Sequence, residues 1–329
     1  MPVISVILPV FNSEEFIRKA IESVLAQTFE DFELIIVNDG STDSSKDIID
    51  SFEDDRIRLI SQSNQGPGAA RNNALRIAEG EYIMYLDSDD WFCPNALEVA
   101  YGEITKFGAD FTFFKMINFD GERYYENDWF ELKTLQSFKN KAFKPSETPG
   151  SIFDLSVGVC QKIYNRSFLE RIDARFPEGI FFEDMPFFYY VFLKAERISI
   201  VNRHLYVRRK HTSSITNVVD EKFFDTVPAG QELMRIFIEN EWYDTYKFDL
   251  LAYKINGPRF ALRDLPPDCK NQMFMLIKED YMQVKASKYY RDFLDNLGPV
   301  KRKFFLDVIE CESYDEFKTR NQINSGPAE

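Results

Sequence analysis

The feature that most constrains this chain is an alternation over its first hundred residues. Short apolar runs recur as VISVILP (3–9), FELIIV (32–37), IRLIS (57–61) and EYIMYL (81–86). Each has the length and residue types of a buried strand. Helical patterns lie between them. Phe16, Ile17, Ala20, Ile21 and Val24 fall at helical spacing, with Asn12 and Glu15 placed as an N-cap pair. A short helix is predicted over 44–52, and NQGPGAA (64–70) leads into another over 71–78. Strands alternating with helices imply βαβ units and a mostly parallel sheet. Open sheets of this kind bind ligands beyond the carboxyl ends of their strands. Two polar clusters, NDGSTD (38–43) and DSDD (87–90), follow such ends directly.

Downstream, a helix is predicted over 95–107 and a strand over 110–116. Residues 118–150 are irregular and rich in aromatics and charges. VGVCQKIYN (157–165) reads as a strand leading to a short helix. FFEDMPFFYYVFLKAE (181–196) reads as a loop entering an apolar helix, with Pro186 where an early helical position tolerates it. RISIVNRHLYVRR (197–209) reads as extended. From about 216 the pattern becomes longer amphipathic helices, such as 221–240 and 243–256. A chain of 329 residues suits two domains, here 1–216 and a helical 217–329. The tail SGPAE (325–329) reads as disordered.

A net charge of −14 gives no basic footprint for nucleic acid. Cys93, Cys160, Cys269 and Cys311 form no CxxC pair, which fits free thiols in a reducing cytoplasm. The N-terminal run lacks the charged start and cleavage site of a signal peptide. No apolar stretch is long enough to span a bilayer. The expectation is a cytoplasmic protein, with work at the inner face of the membrane left open.

Asp87, Asp89 and Asp90 end an apolar run with three carboxylates in four residues. Like charges this close repel, so a positive partner is expected among them. Hard oxygen ligands at a strand end suit Mg²⁺ or Mn²⁺. An acidic turn or helix cap gives the same letters. In NDGSTD a carboxylate can accept from a base N–H or a ribose hydroxyl, or simply form an Asx turn. Gly66-Pro67-Gly68 continues as Ala69-Ala70-Arg71, so the third glycine of a dinucleotide loop is absent. These glycines either let backbone approach a ligand or start the helix. Arg71 reads as a phosphate contact or a surface ion pair.

Taken in order, VISVILPVFN (3–12), IVNDGSTD (36–43), NQGPGAARN (64–72) and YLDSDDW (85–91) resemble a family 2 glycosyltransferase of the bacterial surface-polysaccharide type. The resemblance runs from residue 3 to about 215. It implies an α/β GT-A nucleotide-sugar-binding fold, a mostly parallel central sheet with a mainly α-helical C-terminal region. It implies a nucleotide-sugar donor, usually a UDP-sugar, with Mn²⁺ or Mg²⁺. Asp39 would contact the nucleobase, with Pro9, Phe11 and Glu14 near the nucleotide. Asp87 and Ser88 would lie on the donor side, Asp87 by the ribose and metal, and Asp89 would ligate the metal.

Inverting transfer needs a carboxylate to deprotonate the acceptor hydroxyl. On the residues alone, Glu183 and Asp184 read as caps of the following helix. The resemblance makes Asp184 the base and Glu183 its neighbour. YVRRKHTSSIT (206–216) resembles the family's segment that closes over the diphosphate, matching at Tyr206, Arg208 and Ser214, and His211 is a further donor contact. Lys162 matches a position on the acceptor side. Trp91 reads either as core or as a stacking face for the acceptor sugar. The implied acceptor is a saccharide or lipid-linked saccharide, and the implied enzyme a hexosyl- or hexosaminyl-transferase. Peripheral membrane contact and a homodimer stay open. A sugar nucleotidyltransferase would need a glycine-rich loop where PVFNSEE stands. A non-catalytic nucleotide- or glycan-binding protein on the same fold is the alternative from another class.

Overall fold

The computed structural model describes residues 1–211 and 219–323. The expected boundary near 216, Ser214 and the SGPAE tail lie outside the described residues. The chain divides into two compact units, one of Met1–Gly179 with Glu183–Thr212, the other of Ile180–Phe182 with Ser213–Glu329. All four cysteines are free thiols.

The first unit is built in chain order from β1 (Ile4–Val10), α1 (Ile17–Leu25), β2 (Phe32–Asp39), α2 (Ser45–Asp50), β3 (Ile57–Gln62), α3 (Gly66–Ile77) and β4 (Tyr82–Tyr85). Then follow β5 (Trp91–Phe92), α4 (Ala96–Phe107), β6 (Phe111–Phe119), β7 (Tyr124–Tyr125), β8 (Lys162–Asn165), α5 (Arg166–Arg171), α6 (Asp184–Lys194) and β9 (Ile198–Arg209). One nine-stranded sheet runs in the order β3-β2-β1-β4-β8-β6-β9-β5, with β7 added to β6. The ladder β3-β2-β1-β4 is parallel throughout, as is β6 with β9. The partners of β8 and the short strands β5 and β7 pair antiparallel. The α/β fold with a largely parallel nucleus thus agrees with the sequence pattern.

The parallel strands are apolar for a local reason. Val6, Ile7, Leu8, Leu34, Ile35, Ile36, Ile83 and Met84 are all fully buried. Alternate residues on both faces are covered, as a parallel sheet sheathed by helices requires.

Several boundaries differ from expectation. Asn12 is not an N-cap: it sits at φ 46°, and its side chain instead accepts from Thr42 N–H at 2.8 Å. The helix begins at Ile17 with Phe16 before it. Helix α3 begins at Gly66, earlier than expected, with Pro67 in its first turn, a position whose missing N–H costs nothing. The 118–150 region is not wholly irregular. Strand β6 runs on to Phe119, β7 forms a hairpin with it, and 3₁₀ turns cover Asp128–Phe130, Lys133–Phe138 and Pro145–Glu147. In 157–165 a 3₁₀ turn over Val159–Gln161 precedes the strand.

The second unit is helical: α7 (Thr226–Glu239), α8 (Tyr243–Asp264), α9 (Pro267–Ala286), α10 (Tyr290–Asn296), α11 (Pro299–Glu310) and α12 (Tyr314–Ile323). Leu233, Phe237, Leu250, Ile255, Ile277 and Phe305 lie in its core. Lys254 and Asp280 form an ion pair of 2.8 Å inside it, with side chains 3% and 5% exposed. Gln231 also donates to Asp280 at 2.9 Å. Among the described residues, no helix is long and apolar enough to cross a membrane.

Candidate active site

The ends of β1, β2 and β4 are adjacent because their strands are, and side chains stitch the loops that follow. Asn12 N–H donates to Ser41 Oγ at 3.1 Å, and Ser13 N–H to Ser45 Oγ at 2.8 Å. Glu14 and Asp43 exchange support: Glu14 N–H donates to Asp43 at 3.0 Å, and Glu14 accepts from Ser44 N–H at 2.8 Å. Ser13 and Ser88 hydroxyls meet at 2.6 Å, joining this loop to DSDD. Pro9 is half-buried at the strand end, while Glu14 and Phe11 are exposed, Phe11 by 46%.

Asp39 closes β2 and is 3% exposed. Its carboxylate accepts from Gln62 Nε2 at 2.8 Å, Gln65 N–H at 2.9 Å and Gly66 N–H at 2.8 Å. It therefore orders the loop entering α3, and a carboxylate's fourth acceptor position is what remains for a ligand. Gly40 follows at φ 74°, and a Cβ there would meet Asn64 N at 2.8 Å. Gly66 takes φ 86° in open space. Gly68 is different: a Cβ there would lie 2.4 Å from the Pro177 carbonyl and 3.2 Å from Glu183 Cγ. Of the two readings of this glycine pair, Gly68 serves close backbone approach, but to the chain itself.

Arg71, 6% exposed, projects from α3. Its guanidinium pairs with Glu183 on one nitrogen and with Asp87 Oδ1 at 2.9 Å on another. It also lies over the Phe176 ring at 5.4 Å. Burial works against its charge, but Glu183 and Asp87 hold it protonated. Arg71 is thus neither a surface residue nor a free phosphate contact.

The three carboxylates of DSDD have three fates. Asp87 is held by Arg71, and its N–H donates to Tyr206 Oη at 3.2 Å. Asp89 faces the His211 imidazole, Oδ2 to Nε2 at 2.9 Å. Burial and the neighbouring Asp87 charge push the Asp89 carboxyl up, while His211 opposes. Asp90 is 5% exposed and points inward. It accepts from Tyr206 Oη at 2.7 Å and from Arg209 N–H at 2.7 Å. Burial, then Asp89 and Asp87, push it well up. Asp90 and Tyr206 are the residues that sequence reasoning missed as supports. They fasten the loop to β9, and no local signal links positions so far apart.

Arg209 donates from Nε to the Asp89 carbonyl at 2.9 Å, and its guanidinium lies 4.8 Å from the Trp91 ring and 5.1 Å from Phe16. Arg208 lies over Phe130 at 5.5 Å. Trp91 is 9% exposed and meets Phe119 at 5.5 Å. Lys162 is fully buried, its ammonium donating to the Ser156 and Gly158 carbonyls at 3.1 and 2.6 Å. Phe113 and Phe188 sandwich it at 4.8 and 4.6 Å. Burial pulls its pKa down to about 7, with Asp184 opposing. Neither Trp91 nor Lys162 therefore stands open to an acceptor, as direct contact requires.

Glu183 occupies the N-cap of α6 with no side-chain capping bond, and Asp184 is the first helical residue. Burial pushes the Glu183 carboxyl up against the pull of Arg71. Burial also raises Asp184, opposed by Arg71 and Lys162 and reinforced by Asp87. Asp184 thus combines a helix N-terminus, which favours its anion, with burial, which raises its proton affinity. Of the two carboxylates expected at a divalent cation, Asp89 lies against His211, and Asp87 is held by Arg71 through one oxygen. One or two carboxylates leave the remaining positions to water and phosphate oxygens, as Mg²⁺ and Mn²⁺ commonly use them. A separate grouping of Glu126, Glu131 and His204 has ligand-type atoms within 4.8 Å. There Glu131 is already engaged by Lys115 and His204, at 2.6 Å each.

Comparison with known proteins gives this geometry its class. A family model described as Glycosyl transferase family 2 matches residues 5–171. The chain belongs to that family and is a glycosyltransferase. The poly(ribitol-phosphate) beta-glucosyltransferase of Bacillus spizizenii is 29% identical over 321 residues, 93% of this chain and 47% of the relative. The chain thus spans about half that relative's length. Residues 1–349 of S. aureus TarS, solved with UDP-GlcNAc, superpose with a TM-score of 0.68 at 24% identity, covering 98% of this chain and 92% of that one. A mannosyltransferase from Pyrobaculum calidifontis, solved with GDP-Man and Mn2+, gives a TM-score of 0.53 at 14% identity over 99% of this chain and 88% of that one. These two likenesses establish the GT-A-type fold.

Proposed function

We propose that the chain transfers a hexosyl or hexosaminyl group, with inversion, from a UDP-sugar to a hydroxyl of a saccharide or lipid-linked saccharide during cell-surface polysaccharide synthesis. The observation that carries this reading is the double engagement of Arg71, which joins the DSDD loop to the Glu183–Asp184 pair. Donor-side and acceptor-side carboxylates are thereby one side chain apart. The TarS complex with UDP-GlcNAc supports a UDP-sugar donor. The name of the Bacillus relative supports a cell-wall polymer as acceptor, and the Mn2+ complex supports metal dependence.

Asp39 orders the loop that receives the nucleoside, with Pro9, Phe11 and Glu14 beside it. Asp89, with Asp87 as the second carboxylate and His211 against it, would hold Mn²⁺ or Mg²⁺ on the donor side. When bound, such a cation supplies positive charge to the departing diphosphate. Asp184 accepts the proton of the acceptor hydroxyl as that oxygen bonds the anomeric carbon. The bond from the anomeric carbon to the diphosphate oxygen breaks, and UDP leaves with the electron pair. Attack from the face opposite the leaving group inverts the centre. Glu183, neutralised by Arg71, keeps a second negative charge from competing with the base.

Calorimetric titration of UDP tests the donor half. We expect binding with Mn²⁺ that vanishes in excess chelator. Asp89→Ala should weaken the metal-dependent component by about tenfold or more. Equal loss with and without Mn²⁺ would assign Asp89 to folding and sink the metal role.

A further inference from the structure

Trp91 is buried, as its core reading has it, while two rings of the β6–β8 segment stand open. Tyr124 is 57% exposed and Trp129 45%. Singly exposed aromatics need no explanation, but these two are mounted on a braced support. Tyr124 is in register with Phe119, their rings 4.9 Å apart, and Phe119 meets Trp91 at 5.5 Å. Trp91 directly follows Asp90. Trp129 precedes Phe130, whose ring receives Arg208 and whose carbonyl accepts from Gln161 Nε2 at 3.0 Å. Glu131 is then pinned by Lys115 and His204. Phe119 is itself in register with Arg209. The supports of both rings, Phe119 and Phe130, therefore meet Arg209 and Arg208 at the end of β9, two residues before the His211 that faces Asp89.

We propose that Tyr124 and Trp129 form an acceptor platform, on which the C–H faces of successive pyranose units of an oligosaccharide stack while its terminal hydroxyl reaches the transfer centre. This rests on the glycosyl-transfer reading given above. Pyranose rings present an apolar face and a polar rim, which matches a Tyr or Trp whose body is apolar and whose tip is wet. Two rings suit an oligomer better than a single sugar. Bracing by Phe119, Phe130 and the Lys115–Glu131–His204 triad fixes the support in advance, which lowers the ordering cost of binding.

The test uses the full chain on an array of neutral and amino-sugar oligosaccharides of graded length. Wild type should retain some of them, with signal rising beyond the monosaccharide. Tyr124→Ala and Trp129→Ala should each lower it by about tenfold, equivalent to about 1.4 kcal/mol. Tyr124→Phe and Trp129→Phe should keep most of it, because a ring remains. Failure of wild type to retain any oligosaccharide, or full retention by both alanine variants, overturns the platform. So does a dimer in light scattering that Trp129→Ala dissociates, or retention on anionic vesicles lost in the same variant; these assign the rings to a second copy or a lipid surface. Titration of UDP with Mn²⁺ on the same samples separates the two readings. Absent UDP binding by wild type breaks the donor assignment and leaves the array result standing.

Discussion

In the helical unit, Asp280 is buried against Lys254 at 2.8 Å and also receives Gln231; in the sheet unit, Asp87, Glu183 and Asp184 gather around Arg71, with Lys162 as a further partner of Asp184, while Asp89 faces His211 and Asp90 faces Tyr206. The first arrangement closes its charge within the chain. The second leaves carboxylates in excess, and burial raises Asp89, Asp90, Glu183 and Asp184. A buried charge without its counterion is costly. An excess of this kind in a cleft marks a candidate functional site. The helical pair is thus structural, and the sheet-unit cluster is where the proposed cation and proton would be received.

The largest effect that would break this comparison is expected at Asp184. Asp184→Asn should lower transfer by about 10²–10⁴-fold while UDP affinity with Mn²⁺ stays near wild type. Its stability should not fall. A carboxyl raised above the ordinary 3.8 binds its proton more tightly when folded, so stability declines as pH rises through the window between the unfolded and folded values. The asparagine removes that slope, which urea melts at two pH values would record. Normal turnover by this variant would move the base elsewhere.

Lys254→Met should do the reverse. It leaves Asp280 buried with Gln231 alone, at a cost of about 3–5 kcal/mol in urea unfolding. Lys254→Met with Asp280→Leu should recover much of that loss. If the single change were silent, the helical pair would not be the closed system described here.

The smallest effect should come from Tyr206→Phe. It removes the hydroxyl that donates to Asp90 and receives Asp87 N–H. We expect about 1–3 kcal/mol of lost stability, with Mn²⁺-dependent UDP affinity falling more than chelator-insensitive binding. Equal weakening of both would make the tyrosine a general prop rather than a support of the metal loop.

Much of this was legible in the sequence, because the relevant signals are local. Apolar runs punctuated by polar clusters give the parallel strands and the loops at their carboxyl ends. The resemblance of those loops to family 2 enzymes identified the class. What stayed hidden depends on partners distant in the chain. Asn12 has the letters of a cap, yet its carbonyl oxygen is taken by Thr42 N–H. The 118–150 region lacks periodicity, being ordered in part through Lys115, Glu131 and His204 rather than by a repeating pattern. The division of labour within DSDD is likewise set from outside, by Arg71, Tyr206 and His211. One clue was available: Pro67 beside two glycines marks a helix start, and α3 does begin there.

The glycines at that start differ in what they forbid. Position 66 needs a left-handed backbone but has room around it, so an asparagine can stand there at modest strain. Position 68 has an ordinary helical backbone and no room, because the Pro177 carbonyl occupies the place of a first side-chain carbon. Even alanine, the mildest replacement in most helices, meets that oxygen. Missense change at position 68 thus has no conservative form, and a chain of this design can drift in sequence around that atom but not through it.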